Sequence, residues 1–185
     1  DIQEGGVRFY TYLYTMSMAM EACAERSLPV VVLDRPNPHG HHMQGPMLDR
    51  AFKSFVGLIP TPMVHGLTLG EAALMGCAEG WIEVPEQWVP RIVTCQGWSH
   101  GSDFHLAIRP SPNLPSTRSI DLYPSMCLFE PTVVSVGRGT PHPFESIGHP
   151  SLGLGTFAFT PVSTPGAAPH PKHKNANCVG QHLGE

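Results

Sequence analysis

The first third of the chain carries the pattern that restricts the fold most strongly. Leucine, methionine and cysteine side chains recur at helical spacing within residues 10–25, which predicts a helix with one apolar face. Residues 28–33 are a short β-branched apolar run, which predicts a strand buried on both faces. With a strand end at residues 1–3, these elements predict a right-handed βαβ unit and therefore an α/β fold.

Polar side chains follow both predicted strand ends. Parallel sheets bind ligands beyond the carboxyl ends of their strands, so these side chains are candidates for a binding site. They are Asp1, Gln3, Arg8, Tyr10, Asp34, Arg35 and Asn37. Ordinary capping explains the same residues, because Asp and Asn often cap turns fixed by neighbouring prolines. The residues alone leave both interpretations open.

Composition excludes several classes of function. A formal net charge of −4 provides no basic field for a polyanion, so we expect no nucleic-acid partner. No apolar run is long enough to predict a membrane span. Five cysteines without a Cys-x-x-Cys pair indicate free thiols, not a disulfide framework. The chain has no Gly-x-Gly-x-x-Gly dinucleotide motif and no Gly-x-Ser-x-Gly serine-hydrolase motif.

Three histidines, His39, His41 and His42, follow the second polar cluster. Their spacing lacks the helical i, i+4 arrangement of a catalytic zinc pair, and no acidic ligand follows at a suitable distance. We therefore predict an exposed loop here, with no metal.

The later sequence is rich in turns, with 20 prolines and 19 glycines in the whole chain. "TLGE" is a capping box that predicts a helix from Thr68 to about Cys77. Strands are predicted at "PRIVTCQGW" and "GTFAFTPVSTP". The prolines between these strands discourage regular elements, and the polar C-terminal end shows no obvious closing element.

Five further polar residues are site candidates, each with a structural alternative. They are His65, Ser111, Asn113, Glu130 and Arg138. A histidine before a helix can donate to a ligand hydroxyl or carboxylate or serve the fold, and the "PSPN" loop can bind hydroxyls or form an Asx turn. Glu130 follows an apolar stretch, so it is either a partly buried acid–base group or the ion-pair partner of Arg138.

Seven motifs in order carry a resemblance to a known family. They are "DIQEGGVRFYTY", "VVLDRPNP", "SFVGLIPTPMVHGLTLGE", "RPSPNLP", "YPSMCLFE", "VGRGTPHPF" and "FTPVSTPG". The sequence resembles the exo-β-N-acetylmuramidases, formerly a domain of unknown function. The chain departs from the family pattern at "EGG", at "EPTVVS" and at the insertion-like "EVPEQWVP".

The resemblance implies a Rossmann-like domain followed by a smaller α/β domain. In this chain we expect residues 1–58 to end the first domain and residues 59–185 to form the second, in either complete or C-terminally truncated form. We expect the chain to match only the C-terminal half to two-thirds of the family. A Glu-His-Gly segment with the leading catalytic carboxylate would lie upstream, so this chain alone is expected to be inactive.

The resemblance also implies function. Family members remove terminal N-acetylmuramic acid from the non-reducing end of peptidoglycan fragments in cell-wall recycling by bacteria, and they need no cofactor. Asp34 and Glu130 are then the acid–base candidates, and the other named residues are candidates for substrate binding. We expect a secreted or periplasmic protein whose partners are muramyl saccharides. The alternative is a non-catalytic module that binds muramyl sugars.

Overall fold

The computed structural model describes residues 1–102 and 104–184, which form two compact units, Asp1–Ile108 and Arg109–Glu185. The first unit extends past the domain boundary predicted after residue 58. Ile59 and Ile82 pack in the same apolar core as Met20 of the first helix, so residues on both sides of that position share one core. The assignment of these segments to a Rossmann-like and a smaller domain stays a prediction.

The first unit combines two helices with a parallel pair of strands, which confirms the predicted α/β class. Its elements are α1 (Thr11–Ala24), β1 (Val31–Leu33), a 3-10 turn (Arg50–Phe52), α2 (Leu69–Ala78) and β2 (Arg91–Val93). The strands β1 and β2 are parallel, with Val32 opposite Ile92. The predicted helices over residues 10–25 and 68–77 and the predicted strand near Arg91 are therefore confirmed.

Two details of the predicted βαβ unit are wrong. Residues 1–3 form no strand in the described chain. Only Val32 of β1 is buried, whereas Val31 and Leu33 are 50% and 47% exposed. Within the described residues β1 has β2 as its only partner strand, and two of its three side chains are exposed.

The second unit is a helix and a small antiparallel sheet. Its elements are α3 (Thr117–Met126), a 3-10 turn (Cys127–Phe129), β3 (Ser146–His149), β4 (Phe157–Phe159) and β5 (Cys178–His182). The strand order is β3-β5-β4. The strand predicted at "GTFAFTPVSTP" is confirmed as β4, which covers only Phe157–Phe159 of that stretch. No helix in the described ranges has the length and apolar character needed to cross a bilayer.

Two elements of this unit contradict the sequence prediction. The proline-rich stretch contains α3, because Ser116 and Ser119 form a capping box that starts the helix, and Pro124 is tolerated inside it. The C-terminal end does close the fold, because β5 is the central strand and pairs with both β3 and β4. That pairing depends on distant partners, which a local pattern does not reveal.

Candidate functional site

The first polar cluster of the structure lies where β1 ends and α2 begins. The Asp34 carboxylate accepts hydrogen bonds from the Thr68 hydroxyl (2.6 Å), the Gly70 amide (2.9 Å) and the Arg35 amide (3.1 Å). Free amide groups at a helix N-terminus favour a negative charge, so the position suits a carboxylate. Both oxygens of this candidate acid–base group are therefore engaged by the fold.

A loop closes over the same helix end. Glu71 accepts from the Thr68 amide (2.9 Å) with one oxygen and contacts His100 Nε2 (2.8 Å) with the other. His100 Nδ1 is 2.9 Å from the Gly40 carbonyl, which can only accept, so this nitrogen donates. Because both ring nitrogens face acceptors, the pKa of His100 is raised, first by Glu71 and then by Gly40. His100 was not predicted to be a site residue, because its partners Glu71 and Gly40 lie far from it in the sequence.

The remaining predicted residues of the two strand ends also hold the fold. Arg35 and Asp1 form a bidentate ion pair with contacts of 2.5 and 3.2 Å. The buried Gln3 amide donates to the Pro36 carbonyl (3.0 Å), and the Asn37 amide donates to the Leu67 carbonyl (2.8 Å). The structure brings these segments together, as predicted from the strand ends, but it gives their polar groups protein partners.

The first unit also contains a buried Glu4–His65 pair, and Glu4 was not predicted to be a site residue. Glu4 and His65 are each 2% exposed, and Glu4 Oε1 is 3.7 Å from His65 Nε2. His65 Nδ1 accepts from the Leu67 amide (3.1 Å), so Nε2 carries the proton and points at the carboxylate. Neither of these two facing atoms has a hydrogen-bond partner among the described residues. The only sequence signal was an acidic residue before two glycines.

Arg8 and Tyr10 are the other two residues predicted at the first strand end. Arg8 Nη1 donates to the carbonyls of Pro46 (3.0 Å) and Thr61, and burial lowers the pKa of its guanidinium. Tyr10 is 9% exposed, and burial raises its pKa, with smaller contributions from Tyr12 and Glu4. Arg8 thus fastens the loop of residues 46–61 with its guanidinium.

The predicted histidine loop is only partly exposed. His41 and His42 are exposed, and their ring centroids lie 3.8 Å apart. His39 is 5% exposed, which contradicts the prediction for this residue. Its amide donates to Asn37 Oδ1 (2.7 Å), and this turn draws the ring inward. The metal-free prediction for these three histidines stays a prediction.

The second unit brings Glu130 and Arg138 together at a cavity. Arg138 Nη1 lies 2.9 Å from Glu130 Oε1 in a partly exposed ion pair, and Cys127 Sγ donates to Glu130 Oε2 (3.4 Å). Both residues line a cavity of about 450 Å³ together with Lys172 and His170. Its remaining lining residues are Val134, Ser135, Val136, Ala168, Pro169 and Pro171.

Lys172 adds positive charge to this cavity and was not predicted. Its ammonium donates to the carbonyls of Glu130 (2.9 Å) and Thr132, which fixes the turn that carries Glu130. The sequence "PHPKHK" offered a signal, because prolines restrict the backbone on both sides of His170. Among the described residues, the cavity lining therefore combines one carboxylate, two cations and an apolar wall.

Ser111 and Asn113 form an ST turn and not the Asx turn expected as the alternative to binding, because the serine hydroxyl is the acceptor. The Asn113 amide nitrogen of the main chain donates to Ser111 Oγ (3.1 Å), and its side chain donates to the Ala167 carbonyl (2.8 Å). Asn113 also lines a smaller cavity of about 200 Å³ with Thr140 and Thr164.

Comparisons with known proteins agree across the whole chain. The sequence model described as exo-β-N-acetylmuramidase NamZ, N-terminal, matches residues 1–118, and the C-terminal model of the same family matches residues 121–184. The chain is 46% identical over 157 residues to the peptidoglycan β-N-acetylmuramidase NamZ of Bacillus subtilis (strain 168). This match covers 82% of the chain and 37% of the relative.

Two crystal structures of DUF1343 family proteins from Bacteroides fragilis NCTC 9343 have the same fold. The first superposes with a TM-score of 0.90 at 48% identity and covers 99% of this chain. The second has a TM-score of 0.82 at 28% identity and covers 100% of this chain. The chain spans 52% of each of these solved chains.

Proposed function

Because the chain belongs to the exo-β-N-acetylmuramidase family, we propose that the protein is a glycosidase releasing terminal N-acetylmuramic acid from peptidoglycan fragments. The cleaved residue is the one at the non-reducing end of the glycan. The similarity to a peptidoglycan β-N-acetylmuramidase from Bacillus subtilis supports the same class of substrate.

The observation that carries the proposal is the cavity around Glu130 and Arg138. Its volume of about 450 Å³ lies within the range of about 300–1,000 Å³ that holds small ligands. N-acetylmuramic acid carries a lactyl carboxylate, and a guanidinium binds carboxylates through paired hydrogen bonds. We infer that Arg138 and Lys172 attract this carboxylate, while the apolar wall contacts the sugar ring.

Glu130 is the carboxylate of this cavity that a sugar can reach. Glycoside hydrolysis requires a proton donor at the leaving oxygen and a group that meets the positive charge developing on the sugar. We propose Glu130 as the second group, and the partial exposure of its side chain at the cavity wall supports this role. Asp34 is less suited to either role, because it is not among the residues lining this cavity and caps the N-terminus of α2 instead.

A second candidate function is binding of muramyl sugars without turnover. The engagement of Asp34 at the α2 N-terminus and of Glu130 by Arg138 favours it, because neither carboxylate is free of protein partners. Release of a chromophore from a chromogenic N-acetylmuramide separates the two functions. Measurable release supports hydrolysis, whereas calorimetric binding of N-acetylmuramic acid without release supports the binding module.

The role of the cations is tested by comparing two sugars. N-acetylglucosamine lacks the lactyl group, so removing a cavity cation should cost it less affinity than it costs N-acetylmuramic acid. We expect Lys172→Gln and Arg138→Gln to weaken binding of N-acetylmuramic acid at least tenfold. Lys174→Gln is the matched control, because Lys174 is exposed and is not among the residues lining this cavity. Equal losses for both sugars would refute recognition of the lactyl carboxylate.

We also propose that the protein acts outside the cytoplasm, in cell-wall recycling, because its proposed substrates derive from peptidoglycan. Fractionation of cells expressing the natural protein, followed by immunodetection, tests this location. Detection only in the cytoplasmic fraction contradicts it.

A further inference from the structure

Two histidines and a glutamate meet in the second unit, away from the residues that line the Glu130 cavity. They are His142, Glu145 and His182, and each offers one ligand atom within 4.8 Å of the others. We propose that these three side chains bind a divalent zinc ion. This goes beyond the proposed glycosidase function, which uses none of the three.

The free ligand atoms of Glu145 and His182 face the same space. A Cβ atom built on Gly184 would lie 2.7 Å from His182 Nε2 and 3.0 Å from Glu145 Oε2. The absence of a side chain at Gly184 therefore leaves room where a nitrogen and a carboxylate oxygen converge. A zinc ion takes ligand distances of about 2.0–2.2 Å from such atoms.

Neighbouring hydrogen bonds orient both of these ligands. His182 Nδ1 lies 3.1 Å from the Glu145 carbonyl, which can only accept, so Nδ1 carries the proton and Nε2 is free to bind a metal. The Ser116 hydroxyl donates to Glu145 Oε1 and leaves Oε2 facing Gly184. Hydrogen bonds of this kind to metal ligands fix the tautomer and the ring orientation.

The backbone before Glu145 is held in an uncommon conformation. Phe144 has φ +60° and is 3% exposed, with its ring packed edge-on against Tyr123 at 5.0 Å. A left-handed conformation at a bulky residue is strained and persists where the surrounding structure determines it. Here it sets the direction in which the Glu145 side chain leaves the backbone.

His142, the third proposed ligand, is exposed enough to move toward the other two. The His142 side chain is 43% exposed, with Nδ1 4.0 Å from Glu145 Oε2 and its ring 4.5 Å from that of His182. Ligand atoms 4.8 Å apart must move closer to share a zinc ion, and an exposed histidine can make that movement. Phe157 flanks both rings, at 5.1 Å from His182 and 6.2 Å from His142.

The donor set favours zinc over the alkaline-earth ions. Zinc accepts imidazole nitrogen and carboxylate oxygen in a tetrahedral site, and three protein ligands leave a fourth position for water or a ligand group. Calcium and magnesium prefer six or more oxygen ligands, which this cluster does not offer. The ion would join the end of β5 to the turn before β3, so binding should also raise the unfolding temperature.

The test is a zinc titration of the chelator-treated, full chain by isothermal calorimetry, with cobalt absorption spectra as a second readout. We expect one site per chain and a cobalt spectrum typical of tetrahedral coordination. His182→Ala and Glu145→Gln should each weaken zinc at least tenfold. Absence of zinc binding by the wild-type chain, or unchanged affinity in both variants, would overturn the proposal.

Two further variants separate a built site from general loss of structure. Gly184→Ala keeps all three ligands and fills the space between them, so it should weaken zinc while circular dichroism stays native. His149→Ala is the matched control, because His149 also lies against another histidine, His173, at 4.6 Å in the same unit. Weaker zinc binding in His149→Ala but not in Gly184→Ala would contradict the assigned site.

Discussion

The Thr68 hydroxyl donates a 2.6 Å hydrogen bond to the Asp34 carboxylate, and this bond joins the end of β1 to the start of α2. The same carboxylate also accepts the Gly70 amide at 2.9 Å. Asp34 therefore caps the N-terminus of α2 from outside the helix, in addition to the capping box that Thr68 and Glu71 form there. Asp34, an acid–base candidate of the sequence, therefore links β1 to α2.

Replacing Asp34 should therefore cost stability. Asp34→Asn removes the charge and one acceptor, which leaves the Thr68 hydroxyl without a carboxylate, and we expect a loss of about 1–3 kcal/mol in the free energy of unfolding. Urea denaturation followed by circular dichroism measures this loss. Asp49→Asn is the matched control, because Asp49 also caps a turn, through the Ala51 amide (2.9 Å), but at an exposed position. A similar loss in both variants would contradict the assigned role.

The His100–Glu71 contact predicts a dependence of stability on pH. The pKa of His100 is raised above its ordinary value of 6.5, mainly by its hydrogen bond to Glu71 and then by that to Gly40. Because the pKa of His100 is raised in the folded state, the contribution of this contact to the free energy of unfolding is complete below pH 6.5. It is lost as the pH rises through the pKa of the folded state. Solvent screens this exposed pair, so the effect should be small.

Thermal unfolding between pH 5.5 and 8.5, a range chosen around the ordinary histidine pKa of about 6.5, checks this prediction. We expect His100→Gln to lower the unfolding temperature at the acidic end and to converge with the wild type at the alkaline end. His41→Gln, an exposed histidine of the same unit, controls for the loss of any histidine. A constant difference across the pH range would rule out the protonated ring as the cause.

The elements that the sequence predicted well are those with local signals. Helix α1 follows from apolar periodicity within residues 10–25, and α2 follows from the Thr68–Glu71 capping box. Both signals act over a few residues, so the chain order alone reveals them. Helix α3 has a similar signal at Ser116, but the prediction for this stretch considered only its prolines.

The site contacts that were missed depend on residues far apart in sequence. Glu4 meets His65 across 61 positions, and Lys172 meets the Glu130 carbonyl across 42. No periodicity or motif specifies such a meeting, because it results from the packing of whole elements. The burial predicted for β1 was wrong for the same reason. Val31 and Leu33 lack the covering layer that an apolar run normally implies.

Gly6 should be the glycine of the first unit least tolerant of alanine. It has φ +79°, and an added Cβ would lie 2.5 Å from Asn37 Oδ1 and 2.6 Å from a His39 ring carbon. We expect Gly6→Ala to lower the free energy of unfolding by about 2–5 kcal/mol, from overpacking and from the left-handed backbone together.

The matched control separates those two causes. Gly97 has a similar φ of +74°, but none of the other described residues beyond its chain neighbours has an atom within 4 Å of its added Cβ. Gly97→Ala should therefore lose only the backbone contribution, about 1–2 kcal/mol. Urea denaturation of both variants gives the comparison, and equal losses would show that contact with Asn37 and His39 is unimportant.

Cys127 should be a slow thiol, and its two charged neighbours should change its reactivity in opposite directions. Burial and then the charge of Glu130 raise the pKa of Cys127 to about 12, against the lowering effects of a hydrogen bond to Tyr123 and of the charge of Arg138. Because only the thiolate is alkylated, iodoacetamide at pH 8 should modify Cys127 roughly three orders of magnitude more slowly than a free cysteine peptide. Glu130→Gln should speed the reaction and Arg138→Gln should slow it, measured by mass spectrometry of the Cys127 peptide. Changes of the same sign in both variants would mean that exposure of the thiol, and not charge, controls its reactivity.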